Sequence, residues 1–424
     1  MKIQQEAQAL APELTALRHT LHAHPEIGLD LPRTQAQVVE ALSGLPLDVS
    51  LGKRATSVTA VLRGSAPHRG DARPAVLLRA DMDAVPVREE TGLVHASRTE
   101  GVAHACGHDM HTAMLVGAAR LLSARREELH GDVVFMFQPG EEGWEGARAM
   151  IEEGVLDAAG RRAVAAYGLH VFSNMAQDFF TRPGAMLASS SALLATVRGE
   201  GGHASEPHRA LDPITVAAEM VLALQTMITR RFDVFEPVVL TVGTLHAGTR
   251  RNIVPATADF EATVRTLSDS AAEQVGQSAL RLLHGIADAH GVQVDARFVR
   301  ERPVTWNDPG ETAFADGTIR EVFGEDRHRL LAHPFTGAED FSRVLAEVPG
   351  AMIALGALPA GADPATAPFN HSGRAVFDDA VLPLGAALYA ELALRRTRAA
   401  GPSSRDAKRT TSISPTQPPT EARP

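Results

Sequence analysis

The sequence predicts an α/β protein in two parts: a mixed sheet flanked by helices, and a smaller α/β unit inserted into it. Three observations carry this reading. Short runs such as Ala75-Val76-Leu77-Leu78 and Val133-Val134-Phe135-Met136-Phe137 have the unbroken hydrophobicity of strands buried on both faces, and they alternate with stretches of helical spacing. Between residues 187 and 300 that alternation gives way to the order βαββαβ. Finally, 424 residues, 44% of them hydrophobic and 22% charged, are enough for two or three domains with real cores.

In order, the N-terminus through about His22 has apolar residues at helical intervals, namely Leu10, Leu14, Leu17 and Leu21, and His24-Pro25-Glu26 stops the helix. A second helix is expected near residues 34–42. Residues 74–79 read as a buried strand leading into Asp81-Met82-Asp83. Asp109 is placed to cap a helix over 110–123, which is apolar nearly all round and therefore buried. Residues 132–137 form the next strand, followed by Gln138-Pro139-Gly140-Glu141-Glu142-Gly143 and a helix through Ile151. Another strand, 163–169, ends at His170. The insertion, 187–300, takes strands over 192–198, 238–245, 259–267 and 292–299 and helices over 213–230 and 271–290, the ferredoxin-like split unit. The larger domain then occupies 1–186 and 301–399, with a strand-like piece at 350–356 and a terminal helix from about 375 to 396. Residues 400–424, rich in Pro, Ser, Thr and Arg, are expected to be a disordered tail.

The formal charge of −10, with no long Lys/Arg run, argues against a nucleic-acid binder and for small-molecule partners. The first residues lack the charged-then-apolar order of a secretory signal, and no apolar run approaches the roughly 20 residues of a membrane span. A single cysteine fits a reducing compartment, so a cytoplasmic setting is expected. No glycine run has phosphate-loop spacing, and Ser189-Ser190-Ser191 lacks the strand-to-helix elbow of a nucleophilic serine.

The chemistry concentrates in His104-Ala105-Cys106-Gly107-His108-Asp109-Met110-His111, which packs three imidazoles, a carboxylate and the one cysteine into eight positions. Thiolate and imidazole are good ligands for zinc-like ions, but a free Cys beside Gly and Ala also suits a small core position, and spacing alone leaves both readings open. Asp81 and Asp83 share one face at a strand end, where ligands gather in open α/β sheets; a turn-forming pair is the alternative. Among the acidic pairs, Glu141-Glu142 lies between a buried strand and glycines, so one carboxylate can hold a metal and the other a water. His170 closes another strand, a place where a satisfied core histidine is the commoner occupant.

Together these phrases carry a resemblance. Segments 78–86, 104–111, 137–143, 168–170 and 201–205, with Arg251-Asn252-Ile253-Val254-Pro255 and Asn370-His371-Ser372, resemble the M20 family of metallopeptidases and amidohydrolases. The likeness is to its amidohydrolase branch, which includes N-acyl-amino-acid amidohydrolases and hippurate hydrolases, and it spans the chain to about Arg396. It implies a catalytic domain with a two-metal site, covered by the inserted domain as a lid that also forms a homodimer. Carried over position by position, Cys106 would bridge two divalent ions, and His108, Glu142, His170 and His371 would complete the ligand set. Glu141 would be the general base toward a metal-activated water, cleaving the amide of an N-acyl amino acid or related conjugate. His203 on the insertion would stabilise the oxyanion of the partner subunit's site, and Asn252 would hold the substrate's carboxylate or carbonyl. Asp83 falls where the family has an acid behind the site, supporting ligands rather than binding metal. Asp81 stands where other branches carry a metal-binding His, a task His108 takes over here, and His104 and His111 match no ligand position.

Arg265 is the candidate partner for a substrate carboxylate, with a surface salt bridge as the alternative. The ions would be Mn2+ or Zn2+, or else Co2+ or Ni2+. A carboxypeptidase or dipeptidase of the same family, acting on short peptides, is the second reading. A non-catalytic small-molecule binder is the third, and the intact Glu141 and ligand set speak against it. Two positions depart from the family pattern. Trp144 replaces a small residue, and is expected either to reshape the pocket or to pack against the following helix. Gly373 replaces a Pro, and a looser loop around His371 is the expected result.

Overall fold

The computed structural model describes residues 2–67 and 73–399. Before the insertion the chain forms strands Leu47–Leu51 (β1), Val58–Leu62 (β2), Ala75–Asp81 (β3), Asp132–Gln138 (β4), Ala165–Phe172 (β5), Phe179–Thr181 (β6) and Gly184–Leu187 (β7). The insertion holds Ser190–Arg198 (β8), Gly202–His203 (β9), Val238–Ala247 (β10), Ile253–Val254 (β11), Thr257–Thr266 (β12) and Gln293–Arg302 (β13). The chain returns through Thr305–Asn307 (β14), His328–Leu330 (β15) and Gly350–Gly356 (β16). The helices are Lys2–Ala9 (α1), Ala11–Ala23 (α2), Pro32–Ala41 (α3), His108–Ser123 (α4), Gly146–Glu152 (α5), Pro213–Arg231 (α6), Asp269–His290 (α7), Pro309–Phe323 (α8), Ser342–Glu347 (α9) and Leu382–Arg398 (α10).

The large sheet runs β1-β2-β4-β3-β5-β16-β6-β15. Its centre, β4-β3-β5-β16, is parallel, and β3, β4 and β16 are buried at every position. That burial is why their sequences read as continuous apolar runs: helices cover both faces. On one face α4 and α10 supply Met110, Met114, Leu388 and Leu392 to the core; on the other, α5 and α9 supply Ala147, Met150, Val344 and Leu345. Because all four central strands point the same way, the loops after β3, β4 and β5 open at one edge, where side chains can converge.

The insertion forms its own antiparallel sheet, β10-β12-β8-β13, with α6 and α7 packed on it around Leu193, Val197, Met220, Phe260 and Leu283. Within the unit that order is 4-1-3-2 when read from β13, the ferredoxin-like arrangement. β7 pairs with β14, so the strands that lead into and out of the insertion lie side by side. Among the described residues no helix is long and apolar enough to cross a membrane. The tail expected over 400–424 lies outside the described residues.

Several elements differ from expectation for local reasons. The N-terminal helix is two, broken at Leu10, because Pro12 starts a new helix at its first turn and has no amide hydrogen to continue the old one. Asp109 does not cap α4. The helix begins at His108 after Gly107, whose φ of +87° turns the chain and whose Cβ, if present, would lie 2.4 Å from Val171 Cγ2. Asp109 instead sits buried in the first turn, accepting from Arg18 Nε at 2.7 Å and lying 2.8 Å from His22 Nδ1. β5 continues to Phe172, so His170 lies within the strand rather than beyond it. The terminal helix starts at Leu382, with Pro383 in its first turn, not near 375.

The Asp109 cluster joins α2 to α4, and His22 completes it by reaching Glu89 Oε1 at 3.2 Å. Burial lowers the proton affinity of His22, but the charge and hydrogen bond of Asp109 and the bond to Glu89 outweigh it and raise its pKa from 6.5 to about 9. A raised histidine contributes stability that is complete below its unfolded pKa and is lost as pH rises through the folded value. We therefore expect thermal melts to show a wild-type advantage over His22→Gln that is on the order of 3 kcal/mol near pH 6 and fades through about pH 9. An advantage of the same size at both ends would contradict this.

Candidate metal centre and active site

A helix start, two parallel strands and a loop deliver the candidate residues to one place. Cys106 and His108 flank Gly107 at the start of α4, Glu141 and Glu142 follow β4, His170 is near the end of β5, and His371 arrives on the loop before α10. Cys106 Sγ lies 3.5 Å from His170 Nε2 and 3.2 Å from His371 Nε2. Glu142 Oε1 is 2.8 Å from His371 Nε2 and 3.9 Å from His108 Nε2. Donor atoms of Cys106, His108 and His170 all fall within 4.8 Å of one another, as do those of Cys106, Glu142 and His371. The two triads share Cys106, a sulfur that can bridge two centres.

The supporting contacts sort donors from neighbours. Asp83 Oδ1 and Oδ2 accept the amides of Glu141 and Glu142 at 2.9 and 3.0 Å, so one carboxylate aims both acids, and its Oδ1 lies 3.4 Å from His108 Nδ1. His111 has no lone pair to spare. The Val171 amide donates to its Nε2 at 2.8 Å, which puts the proton on Nδ1, and that proton goes to Asp81 at 2.5 Å. His104 is buried without a hydrogen bond at either nitrogen, and burial drives its pKa down to about 3. Asn370 donates to the carbonyls of Cys106 and Val171 at 3.2 and 2.9 Å, tying the His371 loop to both other segments.

Adjacent glutamates are pushed in opposite directions. Burial, then the charges of Glu339 and Asp340, raise the pKa of Glu141 well above the ordinary value against the pull of Arg302. For Glu142 burial also acts upward, but the hydrogen bond from His371 and the charges of His108 and His371 bring it to about 2. A strongly basic carboxylate beside a strongly acidic one is the pattern of a proton acceptor beside a ligand. His170 is lowered to about 3 by burial and by His111, which leaves the imidazole neutral, as ligation requires. The donor set fits a pair of divalent ions: one thiol, three imidazoles and one acidic carboxylate converge, and both ring nitrogens of fully buried His108 lack a hydrogen-bond partner.

The structure brings together Asp83, Cys106, His108, Glu141, Glu142, His170 and His371. It does not bring the insertion residues to them. His203 is exposed on β9, paired with Ile253 of β11, and its Nδ1 is satisfied by Ser205 Oγ at 2.7 Å; Asn252 is exposed just before β11. Arg265 reaches Ser190 Oγ at 2.5 Å at the base of the insertion. Among the described residues, none of the three has a hydrogen bond or ion pair to the cluster within its own chain. Trp144 precedes α5 and lies half-exposed over Gly28, whose Cβ position is 3.1 Å from the indole, so it packs on the loop after α2 rather than in the helix. Gly373 does not loosen its loop. It passes so close to Arg88 that a Cβ would sit 2.1 Å from the carbonyl oxygen, and its own carbonyl accepts from Glu90 at 2.6 Å.

Sequence reasoning missed Arg79, Glu339, Asp340 and Arg302. Arg79 is fully buried, donating to Asp81 and Glu339 at 2.7 Å each and to Asp340 at 3.1 Å. The signal was available: a charge inside an otherwise apolar strand is buried only when paired. Arg302, at the end of β13, donates to the Glu141 carbonyl and lies 3.4 Å from its Oε1.

The sequence profile of peptidase family M20/M25/M40 matches residues 77–395. The chain belongs to this family. It is 33% identical over 401 residues to hippurate hydrolase from Campylobacter jejuni, covering 93% of this chain and 99% of that one. It is equally 33% identical over 399 residues to thermostable carboxypeptidase 1 from Saccharolobus solfataricus, covering 93% and 98%. In fold it is similar to a dinuclear metal-binding peptidase of the M20 family from Bacillus subtilis, with a TM-score of 0.78, 28% identity and coverage of 92% of this chain and 99% of that one. As an M20 enzyme, the protein is a hydrolase of amide bonds, and its mixed α/β architecture is the one expected.

If this cluster takes up metal, loading must expel protons. Contacts with Cys106 and Glu142 raise the pKa of His371 from 6.5 to about 10, so at neutral pH its ring is protonated until a metal displaces the proton. Calorimetric titration of stripped protein with Mn2+ or Zn2+ should show net proton release near pH 7.5 and an apparent affinity that rises with pH. Replacing Cys106 by Ser should weaken binding by about tenfold or more. Binding that is indifferent to pH would count against the site.

Proposed function

We propose that this M20 hydrolase cleaves the amide of N-acyl amino acids, with two divalent ions held by Cys106, His108, Glu142, His170 and His371. The observation that carries the reading is Glu141: a buried carboxylate of raised proton affinity, held beside the donor cluster by Asp83. The ions, Mn2+ or Zn2+ by donor type with Co2+ and Ni2+ as substitutes, supply Lewis-acid activation of a water and of the amide carbonyl when bound. Glu141 takes a proton from the attacking water as its oxygen bonds to the carbonyl carbon. It returns that proton to the amide nitrogen as the C–N bond breaks, so an acid and a free amino acid leave. Asp83 keeps Glu141 and Glu142 in register, and Asp81 holds His111 away from ligation.

The insertion, residues 187–300, acts as lid and dimerisation domain in this proposal. Exposed His203 and Asn252 are too far committed to the insertion's surface to serve their own site, and they suit the oxyanion and the carboxylate of a substrate bound by a partner subunit. The exposed edge strand β10, with Val239 and Leu245 on its surface, supports a homodimer. Arg265, bonded at the insertion's base, is assigned to substrate binding only through a shift of that hydrogen bond. A cytoplasmic setting suits the site, because Cys106 ligates only while reduced. Peptide cleavage is the second reading, supported by the similarity to a carboxypeptidase.

Free-amine release from N-acyl amino acids and dipeptides by metal-restored protein tests both. We expect N-acyl amino acids to be the better substrates, and Glu141→Gln to lower kcat by about 10²–10⁴-fold with metal content unchanged. A glutamine variant that keeps most of its turnover would remove Glu141 as the base. Mixing inactive Glu141→Gln with inactive His203→Ala should restore turnover through hybrid dimers; failure to do so, with dimers confirmed by sedimentation, would place His203 outside the site.

A further inference from the structure

The two helices of the insertion leave a groove between them that none of the chemistry above uses. α6 and α7 are tied together at each end. Gln274 Nε2 donates to the Arg231 carbonyl at 3.4 Å, and His290 Nε2 lies 2.6 Å from Glu219 Oε2. Between the ties lies a cavity of about 650 Å³, within the usual range of small-molecule sites, floored by Ala223, Met227, Leu282 and Ile286. Its charge is one-sided. Arg230 and Arg231 stand at the Gln274 end, with Arg281 toward the middle. Among the described residues these three guanidinium groups have no ion pair or hydrogen bond, whereas Glu219, at the opposite end, is already held by His290. Gly285 is the second observation. Glycine inside a helix is destabilising relative to alanine. At Gly276 of the same helix the reason is contact, since an added Cβ would lie 2.6 Å from the Phe298 ring. At Gly285 nothing beyond its own helix lies within 4 Å of that position, so the missing side chain serves no contact within the chain and leaves room in the groove it lines.

We propose that this groove is a second ligand site, for a free linear carboxylate whose head meets Arg230, Arg231 and Arg281 and whose chain lies along the apolar floor past Gly285. Guanidinium forks match a carboxylate in shape and charge, and three of them without acidic partners call for an anion. The floor calls for an unbranched apolar body, because the depression is long and shallow rather than deep. From Glu219 to Arg230 the helix advances about 16 Å, the extent of a chain of about a dozen carbons. A homodimer through the β10 edge leaves the groove open: α6 packs on β10 and β12 and α7 on β12 and β13, so α6 stands between the groove and that edge.

The probe is dodecanoate below its micellar concentration, titrated calorimetrically into the full-length, metal-loaded protein. Saturable binding is expected. Arg230→Gln combined with Arg281→Gln, and separately Gly285→Leu, should each weaken it by about tenfold or more. The leucine enters open space, so thermal melts should show both variants folded. Dodecyltrimethylammonium, the same chain with a cationic head, should not bind. The donor cluster can also attract a carboxylate, so dodecanoate carrying a terminal diazirine locates the site by crosslinking. Label on peptides of α6 and α7 supports the proposal. Label confined to the peptides that carry Cys106, Glu142 or His371 overturns it, as does an affinity that both variants leave unchanged or equal binding of the cationic chain. If the variants instead reduce the sedimentation coefficient of ligand-free protein, the groove is a contact between copies of this chain and the proposal falls.

Discussion

The guanidinium of Arg79 is the interaction on which the site depends. It is buried at the end of β3 among Asp81, Glu339, Asp340 and the Gln138 side chain, which accepts from its Nε at 2.9 Å. Each partner passes the constraint onward. Asp81 fixes the tautomer of His111, which holds the Val171 amide beside His170. Asp340 accepts from Ala147 in the first turn of α5 at 2.9 Å, and its own amide donates to Glu141 Oε1 at 3.3 Å. Removing the cation would leave Asp81, Glu339 and Asp340 without their shared positive charge, a loss of the roughly 3–5 kcal/mol seen when one member of a buried pair is deleted. Arg79 leaves its acids incompletely neutralised, and after burial the charges of Glu339 and Asp340 raise Glu141 against the pull of Arg302.

Two neighbouring glutamates can differ so much because their partners differ. Glu141 and Glu142 lie in a turn after β4, and Asp83 fixes that turn by accepting both amides. Glu141 Oε1 meets the Asp340 amide beside the acids around Arg79, whereas Glu142 Oε1 meets His371. Asp83 is thus more than a generic acid behind the site. A residue that accepted only one amide would leave the other glutamate free to rotate, and the division between the proposed base and the proposed ligand would blur.

What the sequence revealed follows the range of the interactions. Buried parallel strands show as apolar runs because both faces meet helices, and the insertion's alternation of strand and helix shows because its patterns are local. The cluster around Cys106 was legible because thiol and imidazole are rare and close in sequence. Arg79 with Glu339 and Asp340 was not, since the partners lie some 260 residues apart and no local pattern links them. Asp109 misled for the same reason: as a neighbour of the helix start it read as a cap, whereas its partners are Arg18 and His22 on another helix. Gly373 misled in the opposite direction, because its need for a missing Cβ comes from the Arg88 carbonyl, which no reading of the loop alone contains.

The insertion's attachment shows how far the site and the domain junction are one structure. Arg302 leaves β13 and bonds the carbonyl of Glu141 and that of Ala338, at 3.4 Å, beside the acids that hold Arg79. Arg343 of α9 donates to the Glu301 carbonyl at 2.5 Å and pairs with Glu145, which follows the glutamate loop. On the entering side, Ser190 Oγ donates to Glu301 at 2.6 Å while accepting from Arg265. These are charge-assisted bonds in a partly buried place, so they resist independent movement of the two strands. Any rotation of the insertion about its stem must be taken up outside this cluster, or else it must shift the loop that carries Glu141. The geometry of Glu141, the proposed base, is therefore set from both domains, by Arg79 through Asp340 on one side and by Arg302 on the other.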